Sequence, residues 1–327
     1  MFSVPVVAGD SVFVGSCAGT FYALDKNSGK LHWSYDIHKD GKQRSFHGNP
    51  LIAGDLILIG TDQGCEADSI GHVYAFERST GTVRWKYKST SVPTDIVQIG
   101  QNVYFGSFQD RWSAVNLQSG NLAWVFSASL SNPDCTMIKP PVADESHVYL
   151  IGLEGIVYSL DAKSGQVAWK RKLLAAPSTA LVLNDKSLFV GTSDKRVHRL
   201  NSQNGYSEAE IEVEAQPVGK PTLTPDSILF FLENQSERAG YIISLSRDLS
   251  KLRWTQKSSA EWASEQPRVS KRLILAGNCR GELAAFRETD GAQQWKVELK
   301  GCIRSVGDSG DILFVGVQEG TVYALRY

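Results

Sequence analysis

No uninterrupted apolar run in the 327 residues approaches the ~20 needed to cross a bilayer as a helix, so no membrane span is expected. Excess charge is missing as well. The 34 Lys and Arg stand against 35 Asp and Glu, a net charge of −1, which argues against a generally basic nucleic-acid binder. The six histidines, His32, His38, His47, His72, His147 and His198, show neither HxxxH nor HExxH spacing, so no metal site is read from them. Gly191-Thr-Ser-Asp194 is a strand-end turn rather than a nucleophile elbow, and no glycine-rich phosphate loop ends in Lys-Ser or Lys-Thr. The five cysteines, Cys17, Cys65, Cys135, Cys279 and Cys302, are odd in number and form no CxxC pair. They read as free thiols of a reducing compartment, with no disulfide assignable from spacing. The opening MFSVPVVAGDSVFVG has no basic segment, long apolar core or cleavage site. As written the chain reads as cytoplasmic; the alternative is a periplasmic domain from which a signal segment has been removed.

What is abundant is glycine, 29 residues, and tryptophan, 8, and the tryptophans repeat. Gly29 to Trp33, Gly81 to Trp85, Gly120 to Trp124, Gly165 to Trp169, Ser250 to Trp254 and Gly291 to Trp295 share one spacing, and Gly205 to Ala209 is a degenerate copy. Successive copies stand 52, 39, 45, 40, 45 and 41 residues apart, the period of a four-stranded propeller blade. Each copy has an apolar run such as Ser11 to Gly15, an alternating run such as Thr20 to Asp25, a polar turn and the Trp strand. Alternation at period two marks strands, and no amphipathic helix competes. In the turn Asp25-Lys-Asn-Ser28-Gly29, a short acidic side chain accepts turn N–H groups while glycine supplies positive φ.

The unit Ala23-x-Asp25-x-x-Ser28-Gly29-x-x-x-Trp33 and its copies resemble the repeat of pyrroloquinoline-quinone (PQQ)-type β-propellers. That family includes quinoprotein dehydrogenases and non-catalytic BamB-like outer-membrane assembly factors. The resemblance covers nearly the whole chain and implies an all-β, eight-bladed propeller of four-stranded blades, one domain over 1–327. An eighth copy, Asp311 to Gly316 and Tyr323 to Tyr327, stops before its Trp strand, so the last blade is expected to have three strands. The resemblance does not settle function. Quinoprotein chemistry would imply PQQ beside a divalent metal, an acidic base and often adjacent cysteines; this chain has no adjacent pair, and Asp95 and Glu265 are its only suggested acids.

With strands named A to D from inner to outer, A–B and C–D turns fall on one face of a blade and B–C and D–A connections on the other. The second face is elaborated, at 62–71 and 233–240 in B–C loops and around 38–47 and 127–138 in D–A connections. The innermost strands begin there. Asn49, Asp95, Lys139, Lys220, Glu265 and Arg304 are expected to line the mouth of a central funnel, with Trp262 offering a stacking surface, as a site for a small polar or anionic ligand. The leading expectation is therefore a non-catalytic scaffold that binds a protein partner or such a ligand, with no cofactor. The alternative is an enzyme using the same funnel, a PQQ-dependent dehydrogenase among the options.

Overall fold

The structure, a computed structural model, describes residues 3–41, 43–64, 69–128, 138–258 and 260–327. Cys65, Cys135 and parts of the expected 62–71 and 127–138 elaborations lie outside those residues. The fold is an all-β, eight-bladed propeller: seven sheets have four antiparallel strands in sequential order, and the last, Ile303–Asp308, Ile312–Val317 and Val322–Arg326, has three. The chain divides into two compact units, residues 1–154 with 158–168, and residues 155–157 with 169–327.

Blade 1 shows how sequence becomes sheet. Strands Val6–Ala8, Ser11–Gly15, Thr20–Asp25 and Leu31–Asp36 pair antiparallel in register, with Phe13 opposite Ala23 and Ala23 opposite Trp33. Phe13 and Phe21 are fully buried: the second strand is buried on both faces, the third mainly at alternate residues. The C–D turn closes as the composition predicts: Asp25 Oδ1 accepts from the Ser28 N–H and Oγ, both at 2.7 Å. Asp161 and Asn116 repeat the arrangement with Ser164 and Ser119.

The recurrent tryptophans join one blade to the next. The Trp33 indole N–H donates to the Arg78 carbonyl at 3.0 Å, Trp85 to Leu117 at 2.8 Å and Trp124 to Ala162 at 2.9 Å. In the second unit Trp169 donates to Ser202 at 2.8 Å and Trp254 to Glu288 at 3.0 Å. Each acceptor lies in the C–D turn of the following blade, and each ring covers that turn's glycine. At Gly81, Gly120, Gly165, Gly205 and Gly291 a Cβ would fall 2.5–2.8 Å from an indole carbon, and all five have positive φ. Glycine is thus required twice over, for the turn and for the ring above it.

Two exceptions follow the same logic. Blade 5 has Ala209 in place of Trp, and in the turn of blade 6 the positive φ falls on Leu249, whose buried side chain joins Ala209 in the core. Among the described residues no C–D turn follows Trp295, since the sheet of blade 8 has three strands. Trp295 lines an apolar groove of about 500 Å³ with Leu313, Leu325 and Tyr327, and meets Tyr327 edge-on at 6.5 Å. Five of the six tryptophans that share the spacing thus make the same contact, and Trp295 does not.

Trp124→Ala is expected to cost ~3–5 kcal/mol in denaturant unfolding, since a buried ring and its hydrogen bond are lost together. Trp295→Ala should cost less than ~2 kcal/mol, because that ring is already partly solvated. Equal losses would show that the turn contact contributes nothing beyond burial.

Candidate functional site

The inner-strand mouth is best built from backbone needs. Every innermost strand starts where a connection arrives from the previous blade, and its first amides need acceptors. In the first unit side chains supply them. Asn49 Oδ1 accepts the Val4 N–H at 2.6 Å, and Asp95 Oδ1 accepts the Asn49 N–H at 3.0 Å. In the second unit backbone does the same work: the Lys220 N–H donates to the Glu265 carbonyl at 3.1 Å and the Glu265 N–H to the Arg304 carbonyl at 3.3 Å. Beside these lies a second fastening. Ser3 and Thr179 hydroxyls accept the Gly15 and Gly191 N–H groups at 2.8 Å, and Thr94 accepts that of Gly106 at 3.0 Å. Each pair is separated by twelve residues, a regular signal that sequence reading passed over.

The expected site residues thus fall into groups. Asn49 and Asp95 stand in one stitched row. Lys139 is partly buried, and that burial holds its ammonium below the usual lysine range. Lys220 and Glu265 are joined through backbone. Arg304 and Trp262 come together at a cavity of about 550 Å³ within the second unit.

That cavity opens among the loops of the second unit. Its walls come from the B–C loop of blade 6 (Glu233, Gln235, Arg238), the connection to blade 7 (Ala260 to Ala263), the B–C turn of blade 7 (Cys279, Arg280) and the start of blade 8 (Arg304). The hairpin strands Ser227–Asn234 and Ala239–Ser246 carry the loop out from the sheet. Arg304 is oriented by Gln318, whose Oε1 accepts from Nε at 3.1 Å and Nη2 at 2.8 Å. Burial, with Glu261 nearby, raises the Glu233 carboxyl above its ordinary range. Trp262 is mostly core: it stacks on Phe231 at 6.0 Å and meets Phe286 edge-on at 5.9 Å. Its buried indole N–H has no hydrogen-bond partner among the described residues. Three arginines and two carboxylates around an apolar floor suit a polar, mixed-charge ligand. Among the described residues no three His, Cys, Asp or Glu side chains converge as a metal site.

The cavity rim also corrects one expectation. Cys279 and Cys302 are not free thiols but a disulfide, with Cα atoms 3.8 Å apart. The physical reason is blade adjacency: the Ile303 N–H donates to the Asn278 carbonyl at 3.1 Å, which sets the two cysteines side by side despite their separation of 23 residues. Cys17 is a free cysteine.

The first unit carries its own loop-side network. The connection after blade 1 begins with the 3-10 turn Ile37–Asp40, capped by Asp36, which accepts the His38 N–H at 2.9 Å. Asp40 then accepts from Tyr74 at 2.9 Å, from Lys86 at 2.7 Å and from Tyr35. Burial works against the Asp40 charge, but these donors hold its carboxyl below the usual range. No helix among the described residues is long and apolar enough to cross a membrane.

Comparison with known proteins agrees with this architecture. A family model described as outer membrane protein assembly factor BamB matches residues 2–208. The BamB of Moranella endobia is 24% identical over 235 residues, covering 69% of this chain and 58% of that protein. That of Yersinia pestis is 23% identical, covering 97% of this chain and 69% of the relative. The crystal structure of BamB from Moraxella catarrhalis superposes with a TM-score of 0.79 at 18% identity, covering 99% of this chain and 96% of that one, a likeness of fold. With a family model matched over more than half its length, the chain belongs to the BamB family of outer membrane protein assembly factors.

Proposed function

We propose that this protein is a non-catalytic scaffold for outer-membrane protein assembly, and that it docks partners through the loop-rich face of its blades. Membership of the assembly-factor family carries the reading. The geometry supports it, because Asn49 and Asp95, two of the residues expected to line a ligand funnel, accept backbone amides and so hold strands in place. The Cys279–Cys302 disulfide favours an oxidising compartment and hence the periplasmic alternative for localisation.

Within the second unit we assign the docking contact to the cavity beside Trp262. Arg238, Arg280 and Arg304 offer charge-assisted hydrogen bonds to acidic side chains or to the anionic group of a small ligand, each worth ~1.5–3 kcal/mol when shielded from water. Glu233 and Glu261 add acceptors for partner amides and discourage purely polyanionic ligands.

A photo-crosslinking side chain placed at Gln235, on the cavity wall, is expected to capture outer-membrane proteins or their assembly machinery in cells. The same probe at Lys163, on a C–D turn, should not. Reversing Arg238 and Arg304 to glutamate should weaken capture at Gln235 at least about tenfold, equivalent to ~1.4 kcal/mol. Equal capture from both positions, or capture indifferent to both reversals, would contradict the assignment.

A further inference from the structure

The first unit holds a Cys–His–Asp constellation that a scaffold role leaves unused. Cys17 sits in the B–C turn of blade 1, which is closed by the Ser16 N–H to the Thr20 carbonyl at 2.9 Å and the Gly19 N–H to the Ser16 carbonyl at 3.1 Å. The Ser16 carbonyl also accepts the Phe46 N–H at 3.2 Å, bringing the next residue, His47, beside the turn. Phe46 is fully buried and passes directly over Gly15, where a Cβ would lie 2.6 Å from the Phe46 Cβ. The position of His47 is therefore fixed by packing as well as by hydrogen bonds.

Asp62 reaches the same point from blade 2. Its backbone pairs with Ser45 in both directions, at 3.0 and 3.3 Å, and its Oδ1 accepts the Ser45 hydroxyl at 2.9 Å. Its Oδ2 contacts His47 Nδ1. The carboxylate is buried at 5% exposure, whereas the His47 side chain remains 31% exposed. The Cys17 thiol hydrogen-bonds the His47 ring and is partly open to solvent. Among the described residues, the other charged groups near the turn are His38, whose ring lies over Gly19 and pairs with Asp36 at 2.7 Å, and Arg44, whose N–H donates to the Asp62 carbonyl at 2.9 Å.

This placement shifts the proton affinity of both groups. Burial pushes the thiol up, and against it hydrogen bonding and positive charge, the His47 hydrogen bond first among them, hold the thiol below its ordinary range. Burial opposes the His47 charge too, yet Asp62 and Cys17 raise the ring to about 9. A thiol beside an imidazole that is oriented by a buried carboxylate is the arrangement of an activated sulfur nucleophile.

We propose that Cys17, His47 and Asp62 form a thiol-exchange site that takes low-molecular-weight disulfides. The Cys17 sulfur attacks one sulfur of the incoming disulfide and its S–S bond breaks. A new S–S bond joins Cys17 to that half. The departing thiolate takes the proton from the His47 ring and leaves as a thiol, so no further oxidant enters. Asp62 is a positioning residue, acting through Nδ1. The disulfide substrate class is chosen because the same chain carries a formed disulfide at Cys279–Cys302, and so belongs where such compounds persist. The site stands independently of the scaffold reading.

The experiment follows modification of the intact chain by oxidised glutathione, resolved to the Cys17 peptide by mass spectrometry, from pH 6 to 8. An ordinary thiol with a pKa of about 8.5 gains about 75-fold in rate over that range. Wild-type Cys17 is expected to rise by less than about half that factor. His47→Gln should restore the steep profile and slow the reaction at pH 6 at least about tenfold, and Asp62→Asn should shift the profile in the same direction by less. A wild-type profile of ordinary steepness overturns the proposal whatever the variants do, and so does a flat profile in folded His47→Gln.

Discussion

An indole laid over a glycine of the next blade is the contact on which the rest of this molecule depends. Five tryptophans make it, each spending its one N–H on a turn carbonyl while its ring fills the space a Cβ would take. The contact is local to neighbouring blades, so stability accrues blade by blade as in other repeat architectures. It also explains the exceptions. Where blade 5 has Ala209, the adjoining turn fills the space with Leu249; where the sheet of blade 8 has three strands, Trp295 borders an open groove.

With blades held from their outer strands, the inner strands and connections are free to differ. The amides that start each inner strand are met by whatever is at hand: Asn49 and Asp95 side chains in one unit, backbone carbonyls in the other. Variation at these positions is therefore partly structural. The connections between them make the specialised places, the arginine-lined cavity of the second unit and the Cys17–His47–Asp62 cluster of the first.

Much of this was legible in the residues. The fixed offset from turn glycine to Trp gave blade number, strand order and the three-stranded last blade, because one physical contact recurs with one spacing. The 233–240 loop, picked out as an elaboration, contributes Gln235 and Arg238 to the cavity wall, and Arg304 and Trp262 line it too. Arg238 and Arg280 were missed, since neither occupies a repeated position. The Cys279–Cys302 pairing and the His47–Asp62 contact were missed for a related reason: the first joins two blades and the second joins a connection to a blade, and neither leaves a short-range pattern in the sequence. Trp262 was read as a stacking surface because it falls outside the repeat, yet it sits largely in the core against Phe231 and Phe286.

The claim that the ring and the glycine act as one unit is tested most directly by a double-mutant cycle on Trp85 and Gly120, read by denaturant unfolding. In the wild-type background Gly120→Ala must both strain a positive φ and drive a Cβ into the Trp85 ring, 2.8 Å away. With Trp85→Ala in place only the backbone strain, ~1 kcal/mol, remains. The account predicts that the double variant is more stable than the sum of the single losses by at least ~1 kcal/mol. Strict additivity would show that turn and tryptophan stabilise the blades separately, and would contradict it.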